Sequence, residues 1–146
     1  MLKCYIWSTF LYGAETWTLN QDLKNKIEAF EMWCYRRMLK IKYTDHVSND
    51  LVLAIARDQR KLLKVCHERK MRYFGHLVRA GGMLANICLG KIEGRRARGG
   101  QRMQWSKEIF KLAGVNSVGE LVALARDREE WRIMVANPQN WGGHND

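Results

Sequence analysis

The most regular apolar pattern in the chain lies in residues 21–41. Six apolar side chains recur there at intervals of three or four residues: Leu23, Ile27, Phe30, Cys34, Met38 and Ile41. This spacing places them on one stripe of a helix, and Asn20 stands where an N-cap residue is expected. The pattern therefore predicts a long amphipathic helix whose apolar stripe faces a core.

Similar patterns predict further helices along the chain. Ser48 would cap a short helix that ends near Arg57, and Gly81-Gly82 would end a longer one at about 59–79. The longer helix would turn four side chains inward: Leu62, Cys66, Tyr73 and Leu77. A helix is also expected at about 103–113, with Trp105, Ile109 and Leu112 on one face. A last helix would begin at the capping box Ser117–Glu120 and run to about Val135.

Three stretches interrupt this helical pattern. Residues 2–13 are almost wholly apolar or aromatic, which is typical of a segment buried within a larger assembly. Residues 85–93 alternate enough to allow a short strand, and residues 94–102 form a loop rich in glycine and arginine. The sequence thus predicts an all-α fold of about five to six helices with a flexible basic loop.

The composition changes the picture through charge. The 146 residues carry a net charge of +10, and residues 51–104 alone hold thirteen Lys or Arg against three Asp or Glu. The flanking segments are nearly neutral. A local positive field of this size attracts polyanions, whereas the apolar content of 47% argues for a folded domain.

Catalytic chemistry finds little support in the sequence. The fifteen acidic residues are dispersed, with no paired aspartates to hold divalent ions, so no catalytic residue is predicted. Cys66, His67, His76 and Cys88 lack the spacing of a zinc site, and Cys34 with His46 is a weak candidate for a thiol–imidazole pair. We expect no metal, no cofactor, no cleaved signal peptide and no membrane span.

Nucleic-acid binding is the chemistry that these residues favour. Arginine forks hold phosphate oxygens, and glycines between them let the backbone approach a strand closely. The predicted phosphate contacts are Arg95, Arg96, Arg98 and Arg102 in the loop, Arg69, Lys70 and Arg72 on the preceding helix, and Arg36 and Arg37 on the first long helix. Three aromatic residues beside the basic stretch are candidates for stacking on unpaired bases, although helical spacing also suits a core position: Tyr73, Phe74 and Trp105.

Five strings of residues follow one another along the chain: Leu11–Leu19, Glu28–Leu39, Arg69–His76, Gly94–Gly99 with Gln101–Trp105, and Ala125–Trp131. They resemble the region that follows the polymerase core in RTE-type non-LTR retrotransposon (LINE-like) reverse transcriptases. They occur in the family's order and at similar separations, and together they cover roughly residues 2–135.

The resemblance implies a position within a longer polyprotein. Residues 1–46 would correspond to a thumb-like helical segment, residues 47–137 to a basic C-terminal extension, and residues 138–146 to a disordered tail. The extension would hold template RNA or an RNA–DNA hybrid beside an upstream polymerase domain, with target DNA as a further candidate partner. The palm motif of that polymerase is absent from these residues, so the chain would not be an enzyme by itself.

Two other functions stay open from the sequence alone. A helix-turn-helix-like DNA-binding regulator would use the helices at 48–57 and 59–79 as its pair, with Lys70 or Arg72 reading bases. An inactive retroelement remnant, serving at most as an interaction module, would expose apolar surface at residues 2–12. In each case we expect an intracellular protein, nuclear and cytoplasmic.

Overall fold

The computed structural model describes residues 2–89 and 105–137, with side chains from Tyr5 onward. These ranges contain eight α-helices and no strand, which confirms the all-α prediction and exceeds the predicted five to six helices. The helices are α1 (Leu2–Phe10), α2 (Gln21–Met38), α3 (Asn49–Ala56), α4 (Leu62–Ala80), α5 (Gly82–Cys88), α6 (Trp105–Ala113), α7 (Val118–Arg126) and α8 (Arg128–Ala136). Short 3-10 turns lie at Ala14–Thr16 and Tyr43–Asp45.

Three local features account for the larger number of helices, and the first is α1, which forms within the apolar stretch 2–13. The short strand that the sequence allowed at 85–93 is wrong for the described part of that range, 85–89. Residues Gly82–Cys88 form helix α5 instead, and Ala85 is its buried residue. The single last helix is also wrong, since it divides at Asp127 into α7 and α8. The Asp127 backbone is extended, and its carboxylate accepts hydrogen bonds from the Glu129 and Glu130 amides at 3.0 Å, which starts a new helix.

The chain divides into two compact units. Of the described residues, 2–12 and 19–66 belong to the first unit, and 13–18, 67–89 and 105–137 belong to the second, so the boundary falls inside α4. The predicted divisions after residues 46 and 137 concern a parent polyprotein and stay predictions. The basic loop at 94–102 and the tail at 138–146 lie outside the described residues.

Local capping in the first unit follows the sequence. The Asn20 side chain accepts a hydrogen bond from the Leu23 amide at 2.8 Å, and Ser48 caps α3 by accepting from the Leu51 amide at 3.3 Å. Both predicted N-caps are therefore confirmed. Leu23 and Met38, however, are exposed, because the first and last turns of α2 extend beyond its buried central stretch.

A buried carboxylate from α2 caps the start of α4. Glu31 is 1% exposed, and its two oxygens accept hydrogen bonds from the Lys61 and Leu62 amides at 3.0–3.2 Å. Burial raises the pKa of the Glu31 carboxyl, whereas the two backbone N–H groups act to lower it. Glu31 thus satisfies two amides that have no partner within α4 and joins helices thirty residues apart in sequence.

Replacing Glu31 with alanine is expected to lower the free energy of unfolding by about 2–3 kcal/mol, because two amides lose their acceptor. Urea unfolding followed by tryptophan fluorescence measures the loss. Glu28→Ala is the matched control, since Glu28 makes only a half-exposed ion pair with Arg60 at 3.4 Å. That variant should lose less than about 1 kcal/mol. Equal losses in the two variants would contradict the capping role.

The second unit is built around one apolar cluster. Its buried members come from α4, α6, α7 and α8: Met71, Phe74, Ile109, Leu112, Leu121, Ala125, Trp131, Met134 and Val135. The Trp131 indole N–H donates a buried hydrogen bond to the Met71 carbonyl at 3.0 Å. Gly75, one turn along α4, allows this approach, because a Cβ placed there would lie 2.3 Å from Trp131 Nε1.

Candidate nucleic-acid interface

A groove in the first unit brings together basic and aromatic side chains. Its volume is about 1010 Å³. Four cationic side chains, two large aromatic rings, a histidine and two aliphatic side chains line it: Arg36, Arg37, Lys40, Lys42, Trp33, Tyr43, His46, Ile41 and Val47. We call this site, formed by the end of α2 and the loop that follows, the basic-aromatic groove.

The end of α2 places a lysine where helices usually carry glycine. Lys40 adopts a left-handed conformation with φ 57°, and the Ile41 amide then bonds back to the Arg36 carbonyl at 3.0 Å. Helix α6 ends in the same way, but with Gly114 at the left-handed position. A side chain in this conformation costs about 1 kcal/mol relative to glycine. Lys40 therefore lowers the stability of the first unit slightly, but it places an exposed ammonium group on the basic-aromatic groove.

Hydrogen bonds fix the loop that closes the groove. The Arg36 guanidinium donates to the Val47 carbonyl at 2.8 Å and to Asn49 Oδ1 at 2.9 Å. The Lys42 amide donates to Asp45 Oδ2 at 2.8 Å, which holds the turn that carries Tyr43. Arg36 therefore serves mainly to position the loop, and a phosphate contact from it would have to share its donors.

The remaining cations of the groove are available to an anion. Arg37, Lys40 and Lys42 are exposed, and among the described residues none of them forms an ion pair with a carboxylate. Three unneutralised charges on adjacent turns create a local positive potential, which favours a phosphate backbone.

The basic residues of α4 are mostly committed to protein partners. Lys70 is fully buried, and its ammonium donates to Glu108 Oε2 and to the Trp17 carbonyl at 3.0 Å. The same Glu108 carboxylate contacts His67 Nε2 at 3.2 Å. Although burial favours the neutral acid, the hydrogen bonds from His67 and Lys70 lower the pKa of Glu108 to about 2. Lys70, predicted as a phosphate contact, instead holds the second unit together.

Three other predicted residues do meet at one place. Arg69, Arg72 and Tyr73 line a hollow of about 380 Å³ in the second unit, together with Glu15 and Thr16. Arg69 lies 3.7 Å from the Glu15 carboxylate, and Arg72 pairs with Glu68 one turn earlier on α4. Because acids partly neutralise both guanidinium groups, this hollow attracts a phosphate less strongly than the basic-aromatic groove does.

The three aromatic residues proposed to stack on bases differ in how deeply they are buried in the second unit. Phe74 is fully buried, which excludes a base from its ring in this structure. Trp105 is half-buried, with its indole N–H bonded to the Glu15 carbonyl at 2.9 Å, and Tyr73 packs edge-on against it at 6.2 Å. The core interpretation that the helical spacing also allowed therefore applies to Phe74, whereas Tyr73 and Trp105 keep part of their surface exposed.

Other predicted features lie partly outside the described residues. Arg95, Arg96, Arg98 and Arg102 all fall in the stretch 90–104, which is not described. In the described ranges, no three potential ligands come together to hold a metal ion, and no helix is both long and apolar enough to cross a membrane. Burial raises the pKa of the Cys34 and Cys88 thiols, which disfavours their nucleophilic thiolate forms.

Sequence reasoning missed most of the basic-aromatic groove. It identified Arg36 and Arg37, but it named neither Lys40 and Lys42 nor the aromatic residues Trp33 and Tyr43 as candidates. A signal was present in Lys40-Ile41-Lys42-Tyr43, where cations alternate with an apolar and an aromatic side chain directly after a predicted helix.

The comparisons with known proteins point to a transposon origin. The chain is similar to an uncharacterized transposon-derived protein of Caenorhabditis elegans, with 25% identity over 138 residues. The match covers 85% of this chain and 48% of the relative, so the chain spans about half the length of the curated relative that it matches. No family model matches the sequence, and no solved structure matches it significantly.

Proposed function

We propose that this chain is the nucleic-acid-binding C-terminal region of an RTE-type non-LTR retrotransposon reverse transcriptase, without a catalytic site of its own. It holds template RNA or an RNA–DNA hybrid through phosphate contacts, beside the polymerase domain of a parent polyprotein, in the nucleus and cytoplasm. The observation that carries the proposal is the basic-aromatic groove, whose exposed cations Arg37, Lys40 and Lys42 form no ion pair with any carboxylate in the part of the chain that the structure describes. The transposon-derived relative and the ordered family-like strings support the same origin.

The placement of basic residues favours this proposal over a helix-turn-helix regulator. A regulator would need the first turns of α4 and its basic side chains to approach a major groove. The first turn of α4 is instead capped by the buried Glu31, and Lys70 is enclosed beside Glu108. Target DNA stays a possible additional partner, because its phosphates resemble those of RNA.

The test measures binding of the full chain to fluorescein-labelled structured RNA, an RNA–DNA hybrid and duplex DNA by anisotropy. Affinity should fall between about 50 and 200 mM salt, with a log–log slope of about −0.7 to −0.9 for each phosphate contact. Lys40→Gly should gain about 1 kcal/mol of stability by removing the left-handed lysine, yet flatten the slope by about one contact. A loss of affinity in a more stable protein cannot be attributed to misfolding.

Arg57→Gly is the matched control for this experiment. Arg57 ends α3 in the same left-handed conformation, with φ 50°, but it lies outside the basic-aromatic groove. It should gain similar stability and keep the salt slope. An Arg95/Arg96/Arg98→Ala variant measures the contribution of the basic loop separately. Sequence-specific duplex binding that is lost in Arg72→Ala would support the regulator. Absence of polyanion binding would leave the inactive remnant.

A further inference from the structure

We infer that the basic-aromatic groove binds unpaired nucleotides, with a base stacked on Tyr43 or Trp33 while the neighbouring cations hold the phosphates. This inference rests on the proposed function and narrows its ligand to a single-stranded RNA or DNA segment. The inference depends on Tyr43 and Trp33, which would not be required if nucleic acid bound through its phosphates alone.

The two aromatic rings of the groove are exposed to an unusual degree. Tyr43 is 93% exposed and Trp33 is 58% exposed, although aromatic side chains of this size normally contribute to a core or an interface. Both rings line the same groove as Arg37, Lys40 and Lys42. A cationic groove with accessible aromatic faces is the combination that single-strand binding sites use, because every base has a face that can stack.

One face of the Trp33 ring packs against a neighbouring aromatic ring of the first unit. It stacks on Phe30 with ring centroids 6.2 Å apart and planes within 19°. Phe30 in turn stacks on Phe10 at 4.9 Å and 13°. This series of nearly parallel rings lies within the first unit and ends at the groove. Because this packing restricts the indole, stacking a base on it costs less conformational entropy.

Tyr43 is presented by a backbone that is itself constrained. A hydrogen bond from the Lys42 amide to the Asp45 carboxylate closes the turn Tyr43–Asp45. The turn ends at His46, which has a left-handed φ of 48°. The His46 ring lies 6.2 Å from the Tyr43 ring and tilted by 52°, so it flanks the tyrosine without forming a parallel stack that would occupy its face. Among the described residues, two of the three left-handed non-glycine residues, Lys40 and His46, lie on this groove, and the third, Arg57, ends α3 outside it.

The exposed aromatic rings of the groove favour a single-stranded ligand over a duplex. In a duplex, the bases stack on one another and present only their edges and phosphates, so the exposed ring faces would find no partner. In a single strand, the bases turn outward and stack on aromatic rings while the backbone follows the cations. Both RNA and DNA can stack bases on these rings and contact the cations with phosphates. The test therefore compares RNA and DNA oligonucleotides of equal length.

The test uses the full chain and fluorescein-labelled oligonucleotides of equal length in RNA and DNA forms. One single strand carries normal bases, a second carries abasic sites at its central positions with the same phosphates, and a third is annealed to its complement. We expect the normal strand to bind at least about fivefold more tightly than the abasic strand. The sugar that shows the larger difference identifies the preferred nucleic acid.

Two substitutions assign that difference to the groove. Tyr43→Ala combined with Trp33→Ala should abolish the preference for normal bases and leave the salt dependence in place. Tyr43→Phe, which keeps the ring, should retain the preference. Tyr12→Ala is the matched control, because Tyr12 is an equally exposed aromatic residue of the first unit that lies outside the groove. Circular dichroism of each variant confirms that the helices persist.

The outcomes separate this inference from the proposed function. Equal, salt-dependent binding of normal and abasic strands would overturn base stacking and leave phosphate binding intact. A preference for the duplex, or a base preference that persists without both rings, would also overturn the inference. Binding by none of the oligonucleotides would overturn both proposals.

Discussion

Replacing Glu108 with alanine is expected to lower the free energy of unfolding by about 3–5 kcal/mol, because it leaves the buried Lys70 ammonium without its carboxylate. Lys70 is fully buried, and Glu108 is 3% exposed. A charge in such surroundings needs a counter-ion, since the interior solvates it poorly. Urea unfolding followed by tryptophan fluorescence measures the loss.

A double variant distinguishes a paired charge from lost packing. Lys70→Met combined with Glu108→Leu removes both charges and keeps comparable volume, so it should recover most of the stability lost by Glu108→Ala. Lys107→Ala, at an exposed position on the same helix, should change stability by less than about 0.5 kcal/mol. If Glu108→Ala unfolds like Lys107→Ala, Glu108 does not stabilise the second unit.

The pH dependence of stability provides an independent measurement of the same pair. The pKa of Glu108 is lowered from its ordinary value of 4.5 to about 2 in the folded chain. The unfolded chain therefore binds a proton first as the pH falls, so the stabilisation is complete above about 4.5 and is lost as the pH falls toward about 2. Glu108→Gln should lose less stability than the wild type across that pH range.

Replacing Gly75 with alanine is expected to destabilise the second unit by about 3 kcal/mol, because the added methyl group displaces the Trp131 indole. A Cβ at this position would lie 2.3 Å from Trp131 Nε1 and 2.6 Å from its Cδ1, and both are atoms of a rigid, buried ring. Moving the ring breaks its hydrogen bond to the Met71 carbonyl and opens the apolar cluster. The midpoint of urea unfolding reports the change.

Gly119→Ala is the matched control for the Gly75 substitution. Gly119 is also helical, but a Cβ there meets only the Ser117 hydroxyl at an ordinary 3.6 Å. Alanine should therefore stabilise α7 by up to about 0.5 kcal/mol, which is less than in a helix interior because Gly119 lies in the first turn. If Gly75→Ala also proved stabilising, the close approach of α4 to Trp131 would be wrong.

The candidate site could be predicted only in part. The basic character of the chain and Arg36 and Arg37 followed from the sequence, and the structure places both arginines on the groove. The sequence also identified Arg69, Arg72 and Tyr73, which share the hollow of the second unit. Neither the basic-aromatic groove nor the hollow of the second unit could be recognised from the sequence. A concave surface depends on how separate segments of the chain pack against one another.

Lys70 shows most clearly where reasoning from the sequence reached its limit. Among the arginines and lysines of α4 it looks like one more exposed cation, and its neighbours Arg69 and Arg72 are indeed accessible. The residue that decides its role is Glu108, which is thirty-eight positions away along the chain. Charge counting along a sequence assigns a lysine to the surface by default, since burial without a counter-ion is costly.

What the sequence by itself determined is local. The helical class, the N-caps Asn20 and Ser48 and the end of α4 at Gly81-Gly82 all depend on interactions within four or five residues, which periodicity and capping rules describe. The tertiary structure alone decided which charges are buried and which stay exposed. Glu31, Lys70 and Glu108 became structural because distant segments supply their partners, whereas Arg37, Lys40 and Lys42 stayed exposed because no carboxylate in the described chain reaches them. The balance between desolvation and pairing, which is set by contacts remote in sequence, separates the two groups.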